Sequence, residues 1–154
     1  MIKGADFSED GLYRYSLWRI WDESKPIIMF VGLNPSTANE ETNDATIRRV
    51  ISMAKRWNFG GVYMMNCFPF ISTNPYELIH SGSNDVNDQW LRDISLKCQD
   101  IIFAWGAFDI VKETGRDQEL TQMFPGAMAL VINKDGSPRH PLYVPSSVKP
   151  IKWQ

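Results

Sequence analysis

From Ile27 onward, short apolar runs alternate with amphipathic segments long enough to be helices, and this alternation constrains the fold more than any other feature of the chain. A strand buried on both faces reads as a continuous apolar run of about four to eight residues, and a helix between two such runs carries the chain back to start a parallel neighbour. Strands are expected at residues 27–31, 61–65, 101–104 and 127–132. Between them, residues 44–57 place Ile47, Val50, Ile51 and Ala54 at helical spacing, and residues 86–97 do the same with Val86, Trp90, Leu91 and Ile94. Residues 109–124 read as a weaker helix interrupted at Gly115. The expected class is α/β, a single three-layer α/β/α sandwich around a mostly parallel central sheet. Ahead of it, residues 12–21 are dense in aromatic and β-branched side chains and partly alternating, which predicts one or two antiparallel strands. One domain over 1–154 is expected, with an N-terminal β-hairpin at 1–25, the core at 27–143 and a tail at 144–154.

Composition narrows the function classes. Hydrophobic residues make up 44% of the chain, enough for a packed core and against disorder. No apolar run approaches the roughly 20 residues that a membrane-spanning helix needs. The first fifteen residues contain Asp6, Glu9 and Asp10 in place of a signal peptide's basic and apolar pattern. A cytoplasmic protein with no membrane partner is therefore expected. Cys67 and Cys98 sit in no zinc or redox spacing, and no metal or organic cofactor is implied. Sixteen Lys and Arg against eighteen Asp and Glu leave a net charge of −2, so a nucleic-acid partner would have to be met by a local patch.

Ligands of open parallel sheets bind beyond the carboxyl ends of the strands, so the residues following each strand matter most. The first strand runs into Gly32-Leu-Asn-Pro-Ser-Thr37, the second ends in Asn66 before Cys67-Phe-Pro-Phe70, the third leads to Trp105-Gly-Ala107, and the last leads to Pro138-Arg-His-Pro-Leu-Tyr143. Taken singly, each has a structural explanation: a turn at Asn34-Pro35, a cap at Asn66, a core Trp105, a solvated loop His140. Their convergence at one sheet edge points to a site. His80, with no partner at triad or metal spacing, reads as structural or solvated. Neither a nucleophile elbow nor a phosphate-cradling glycine loop is present.

These four segments, in this order, resemble the uracil-DNA glycosylase superfamily. Gly32-Leu-Asn-Pro-Ser36 is similar to its first active-site motif, with Asn34 where uracil-specific members carry a water-activating aspartate. Gly61-Val-Tyr-Met-Met-Asn66 resembles the strand ending in the base-reading asparagine, and His140-Pro-Leu-Tyr143 resembles the His-Pro motif. Over its full length the chain also resembles a bacterial and phage family of unknown function, which implies no activity.

The glycosylase resemblance implies a nucleobase-recognising protein, with N-glycosidic hydrolysis of a modified or unpaired base as the candidate reaction. The partner is nucleic acid, single-stranded or modified DNA, or else a nucleotide. Asn34 and His140 are the candidate catalytic residues, and Asn66, Phe68 and Trp105 the base-binding ones. Ser36, Thr37, Arg48, Arg49 and Arg139 are the candidate phosphate contacts. An amide at position 34 orients water but takes no proton, so Asn34→Asp is expected to raise cleavage. The alternative is a non-catalytic nucleotide or nucleic-acid binding module that keeps the base pocket. No apolar wedge loop follows His140, since Val144-Pro-Ser-Ser-Val148 is a poor substitute, which weighs against duplex repair.

Overall fold

A computed structural model describes residues 1–80 and 82–154; the side chains of Ile79 and His80 lie outside that description, and with them the expectation for His80. The chain is α/β. Among the described residues seven strands form one sheet: β1 (Ile2–Phe7), β2 (Arg14–Ile20), β3 (Ile27–Gly32), β4 (Gly61–Asn66), β5 (Asp100–Phe103), β6 (Met128–Ala129) and β7 (Ile151–Lys152), in the order β1-β2-β4-β3-β5-β6-β7. Among the described residues four α-helices complete it: α1 (Ala45–Arg56), α2 (Asp85–Ser95), α3 (Asp109–Glu113) and α4 (Arg116–Met123).

The expectation of a mostly parallel sheet is corrected. The pairings β3–β4, β3–β5 and β5–β6 are parallel, but β1–β2, β2–β4 and β6–β7 are antiparallel, so the sheet is mixed, with a parallel centre and antiparallel flanks. The N-terminal strands β1 and β2 pair antiparallel with each other, and β2 pairs onto β4, so the pair forms one edge of the sheet. At the other flank, the expected strand 127–132 shortens to Met128–Ala129, and the expected tail supplies β7. Trp153 beyond β7 packs edge-on against Trp105, with ring centroids 5.7 Å apart, and its indole N–H donates to Thr121.

Alternation along the central strands divides the core. Ile28, Phe30, Val62, Met64, Ile102 and Ala104 pack with Ile47, Val50, Met53 and Ala54 of α1 on one face. Met29, Val31, Met65, Phe103 and Trp105 pack on the other with Leu91 and Ile94 of α2, Val111 of α3 and Leu120 of α4. Helix α1 begins where Asp44 accepts the Ile47 N–H at 2.9 Å, and Lys55 and Arg56 in its last turn complement the helix dipole. Gly115 takes φ +75° between α3 and α4, a left-handed turn that accounts for the break expected there.

Strand β3 sits between β4 and β5, and its connection runs to α1 on one face while those of β4 and β5 run to the opposite face. Connections diverging from neighbouring strands open a crevice at their carboxyl ends. One irregularity aims a further side chain at it. Asp6 pairs with Ser16 but Phe7 pairs with Arg14, so β2 carries one extra residue, a β-bulge at Tyr15. The bulge shifts the alternation, putting Arg14 on the α1 face with Leu17 and Arg19 rather than on the face of Trp18. Among the described residues no helix is long and apolar enough to cross a membrane.

Candidate functional site

A cleft of about 700 Å³ occupies this crevice. Its floor is the α1 face of the strand ends: Gly32, Met64, Asn66 and Arg14. Gly32 keeps the floor clear. A Cβ at that position would lie 2.7 Å from Met64 Cε and 3.0 Å from Asn66 Oδ1, so a side chain would fill the floor and push Asn66 aside. Asn66 is 3% exposed, and its Nδ2 has no hydrogen-bond partner among the described residues. Its backbone is fixed from behind: Asn87 Nδ2 donates to the Asn66 carbonyl at 2.9 Å, and the buried Arg116 donates twice to the next carbonyl, that of Cys67. A rigid backbone presenting an unpaired buried amide is what a ligand-reading residue needs, because an unpaired polar group is costly until the ligand pairs it.

His140 lines the same cleft. Gly106, at φ +82°, lets the chain turn tightly after Trp105, and its N–H holds the Pro138 carbonyl at 2.8 Å, bringing the His140 Cβ into packing range. The His140 Nδ1 accepts the Leu142 N–H at 3.1 Å, which puts the imidazole proton on Nε2. Burial lowers the His140 pKa below its ordinary 6.5, with nearby Asp44 pulling the other way. The neutral ring is therefore the resting form at neutral pH, with one N–H free to donate.

Asn34 lines the cleft in a different role from the expected one. Its Nδ2 lies 3.1 Å from the Pro35 carbonyl, 3.1 Å from that of Phe70 and 2.9 Å from that of Ser72, so the amide ties the loop after β4 to the loop after β3. Only Oδ1 remains for water. Ser36 and Arg139 also line the cleft, and Arg139 Nε is held by Asn133 Oδ1 at 2.7 Å.

The other sequence candidates lie elsewhere. Phe68 and Trp105 are 2% and 1% exposed and belong to the core on the α2 face, so neither can stack on a base in this cleft; strand alternation puts Trp105 with Phe103, away from Gly32 and Asn66. Phe108 and Tyr143, both exposed, are the aromatic residues that do line it. Thr37, Arg48 and Arg49 do not line the cleft, and Arg48 folds back to donate to the Asn43 carbonyl.

Sequence reasoning missed Asp44 and Arg14, both of which line the cleft. Asp44 was legible, since the N-cap of a helix following a parallel strand must lie at the carboxyl edge of the sheet. Arg14 depends on the bulge and had no signal. It is 3% exposed, donates through Nη1 to the Ala38 carbonyl at 2.9 Å, and leaves Nε unpartnered among the described residues. Burial lowers its pKa to about 10, against the opposing pull of Asp44. Five residues along β2, Arg19 holds the same wall of the cleft: Nη2 donates to the Asn39 carbonyl at 2.6 Å and Nε to Asn43 Oδ1 at 2.8 Å. Among the described residues no cluster of three His, Cys, Asp or Glu side chains is placed to hold a metal ion.

A family model described as protein of unknown function (DUF1643) matches residues 14–142, most of the chain, and the chain belongs to that family. No curated protein and no solved structure matches it. The matched segment runs from Arg14 through Leu142, and so takes in both the floor of the cleft and His140.

Proposed function

We propose that this member of a family of unknown function binds a nucleobase in the cleft and hydrolyses its N-glycosidic bond. The observation that carries the reading is Asn66, a buried carboxamide with an unpaired donor on the floor of a cleft that also holds a neutral, N–H-bearing histidine. A carboxamide presents both a donor and an acceptor, matching the edge of a pyrimidine-like base. Phe108 and Tyr143 are the aromatic groups available to stack on its face. The likeness of the Gly32–Ser36, Asn66 and His140 segments to uracil-DNA glycosylases supports the same chemistry.

In the reaction the bond between the base nitrogen and C1′ breaks, and its electron pair leaves with the base. His140 Nε2–H donates to a base carbonyl oxygen, a bond that strengthens as negative charge develops there. Water adds to C1′, and the proton it loses ends on the departed base. Among the described residues Asp44 is the one carboxylate lining the cleft, and it is the group available to carry that proton, since Asn34 cannot.

The test is a base-release assay over nucleosides, nucleotides and single-stranded oligonucleotides carrying uracil, hypoxanthine, mismatched thymine or hypermodified pyrimidines. Selective release is expected, reduced by about one to three orders of magnitude in His140→Ala. Release unchanged in that variant would remove His140 from the mechanism. Selective binding with no release of any base would support the non-catalytic module, which is favoured by the structural commitment of the Asn34 amide to three carbonyls.

A further inference from the structure

The cations of the cleft lie inside it, and those suited to a polymer backbone do not. Arg14 shares the floor with Asn66, 3% exposed, with Nε unpartnered and no carboxylate within ion-pair distance among the described residues. Arg139 also lines the cleft without a carboxylate partner among the described residues, and the bond from its Nε to Asn133 leaves the Nη groups available. Among the described residues Asp44 is the single carboxylate lining the cleft, and its Oδ1 is committed to the Ile47 N–H. By contrast, Arg48 reaches back to Asn43, Lys55 lies 5.3 Å above the Trp21 ring, and the chain as a whole carries −2.

A guanidinium withdrawn from water without an anion is costly, and a ligand that brings the anion removes that cost. A protein that tracks a polymer backbone instead spreads its cations over an exposed groove. We propose that the cleft takes a free nucleotide, whose terminal phosphate monoester enters with the base and is held by Arg14 and Arg139. Ser36 and Thr73 line the same cleft, and their hydroxyls supply neutral donors to the phosphate oxygens, whereas the Ser72 hydroxyl donates to the Asn74 carbonyl. The proposal rests on the base-binding reading and adds its substrate class.

The test is calorimetric titration of nucleosides, their 5′-monophosphates, and single-stranded oligonucleotides carrying the same base internally, against the wild type, Arg14→Gln and Arg139→Gln. Bonds to a charged partner predict that the monophosphate binds roughly ten- to a hundredfold more tightly than its nucleoside, with that advantage reduced in both variants. Oligonucleotides should not compete. Arg139, half-buried, keeps the test open if the buried Arg14→Gln variant fails to fold. Equal affinity for nucleoside and monophosphate would overturn the proposal and leave the base site standing. Tighter binding of the oligonucleotide would overturn it in favour of a polymer. Inorganic phosphate raising the melting temperature of the wild type but not of Arg139→Gln, with no affinity for any nucleoside, would refute the base reading and support the phosphate subsite.

Discussion

Replacing Asn34 by aspartate tests what that amide does. The resemblance to glycosylases makes Asn34→Asp a gain of a water-activating carboxylate, but the structure makes it a loss of the donor that joins two loops. Three carbonyls, of Pro35, Phe70 and Ser72, lie within 2.9–3.1 Å of Nδ2. Two amide protons can serve about two of them well, at about 1 kcal/mol each. A carboxylate removes both donors and faces the same oxygens with a negative charge, and stranding half-buried acceptors adds a cost of the same order. The expected destabilisation at neutral pH is about 2–4 kcal/mol. At about 2–4 °C per kcal/mol for a chain of this size, the melting temperature should fall by several degrees to well over ten. Beside three carbonyls the introduced carboxyl has a folded-state pKa above its unfolded value of about 3.9. Its protonated form returns one O–H donor, so the deficit should be smallest below that value and should grow as pH rises through the folded pKa. Thermal unfolding followed by circular dichroism between pH 4.5 and 8 measures both effects. A melting temperature within about 2 °C of the wild type across that range, with faster base release, would refute the tethering role and restore the catalytic one.

Asp44→Asn keeps a side chain that caps α1 equally well but removes the carboxylate from the cleft. Base release should fall by about 10²–10⁴-fold with the melting temperature unchanged, and an unchanged rate would show that Asp44 takes no proton. Gly32→Ala should cost little stability, because the closest atom, Met64 Cε, is the end of a flexible side chain, yet should weaken base binding by displacing Asn66. Full affinity in that variant would place the base away from Asn66. Because burial lowers the pKa of His140, the folded chain binds fewer protons there than the unfolded chain. The resulting penalty is absent well above the ordinary value of 6.5, sets in as pH falls through it, and levels off once the folded ring is itself protonated. Urea titrations from pH 8 to 5 should show the wild type losing more stability than His140→Gln, and parallel curves would contradict the shift.

The parallel centre of the sheet was legible because β3, β4 and β5 are buried on both faces and read as uninterrupted apolar runs. Of the flanks, β2 was legible in the aromatic and β-branched run at 12–21, and β6 was expected but longer than it is. β1 was not, since it contains Gly4, Ala5 and Asp6, residues of poor strand propensity held by pairing with β2, and the two-residue β7 is shorter than any periodicity can register. The strand-end rule pointed to the carboxyl edge of the sheet, where Asn34, Ser36, Asn66, Arg139 and His140 all line the cleft. It failed for Phe68 and Trp105 because nearness in sequence to a strand end does not say which face a side chain takes. It failed for Arg14 because a one-residue bulge reverses that face, and the bulge arises from pairing between strands rather than from local composition.

The grip of β2 on the wall of the cleft ties two distant regions into one cooperative unit. Arg14 and Arg19 hold the carbonyls of Ala38, Asn39 and Thr42, and Arg19 also reaches back to that of Gly4 in β1. The wall cannot swing outward without breaking these bonds and leaving two buried guanidinium groups unmatched, so local opening of the cleft and fraying of the first twenty residues become a single event. Amide hydrogens of β1 and β2 should then exchange at a rate shared with residues 38–43, and occupation of the cleft should slow that exchange in strands the ligand never touches.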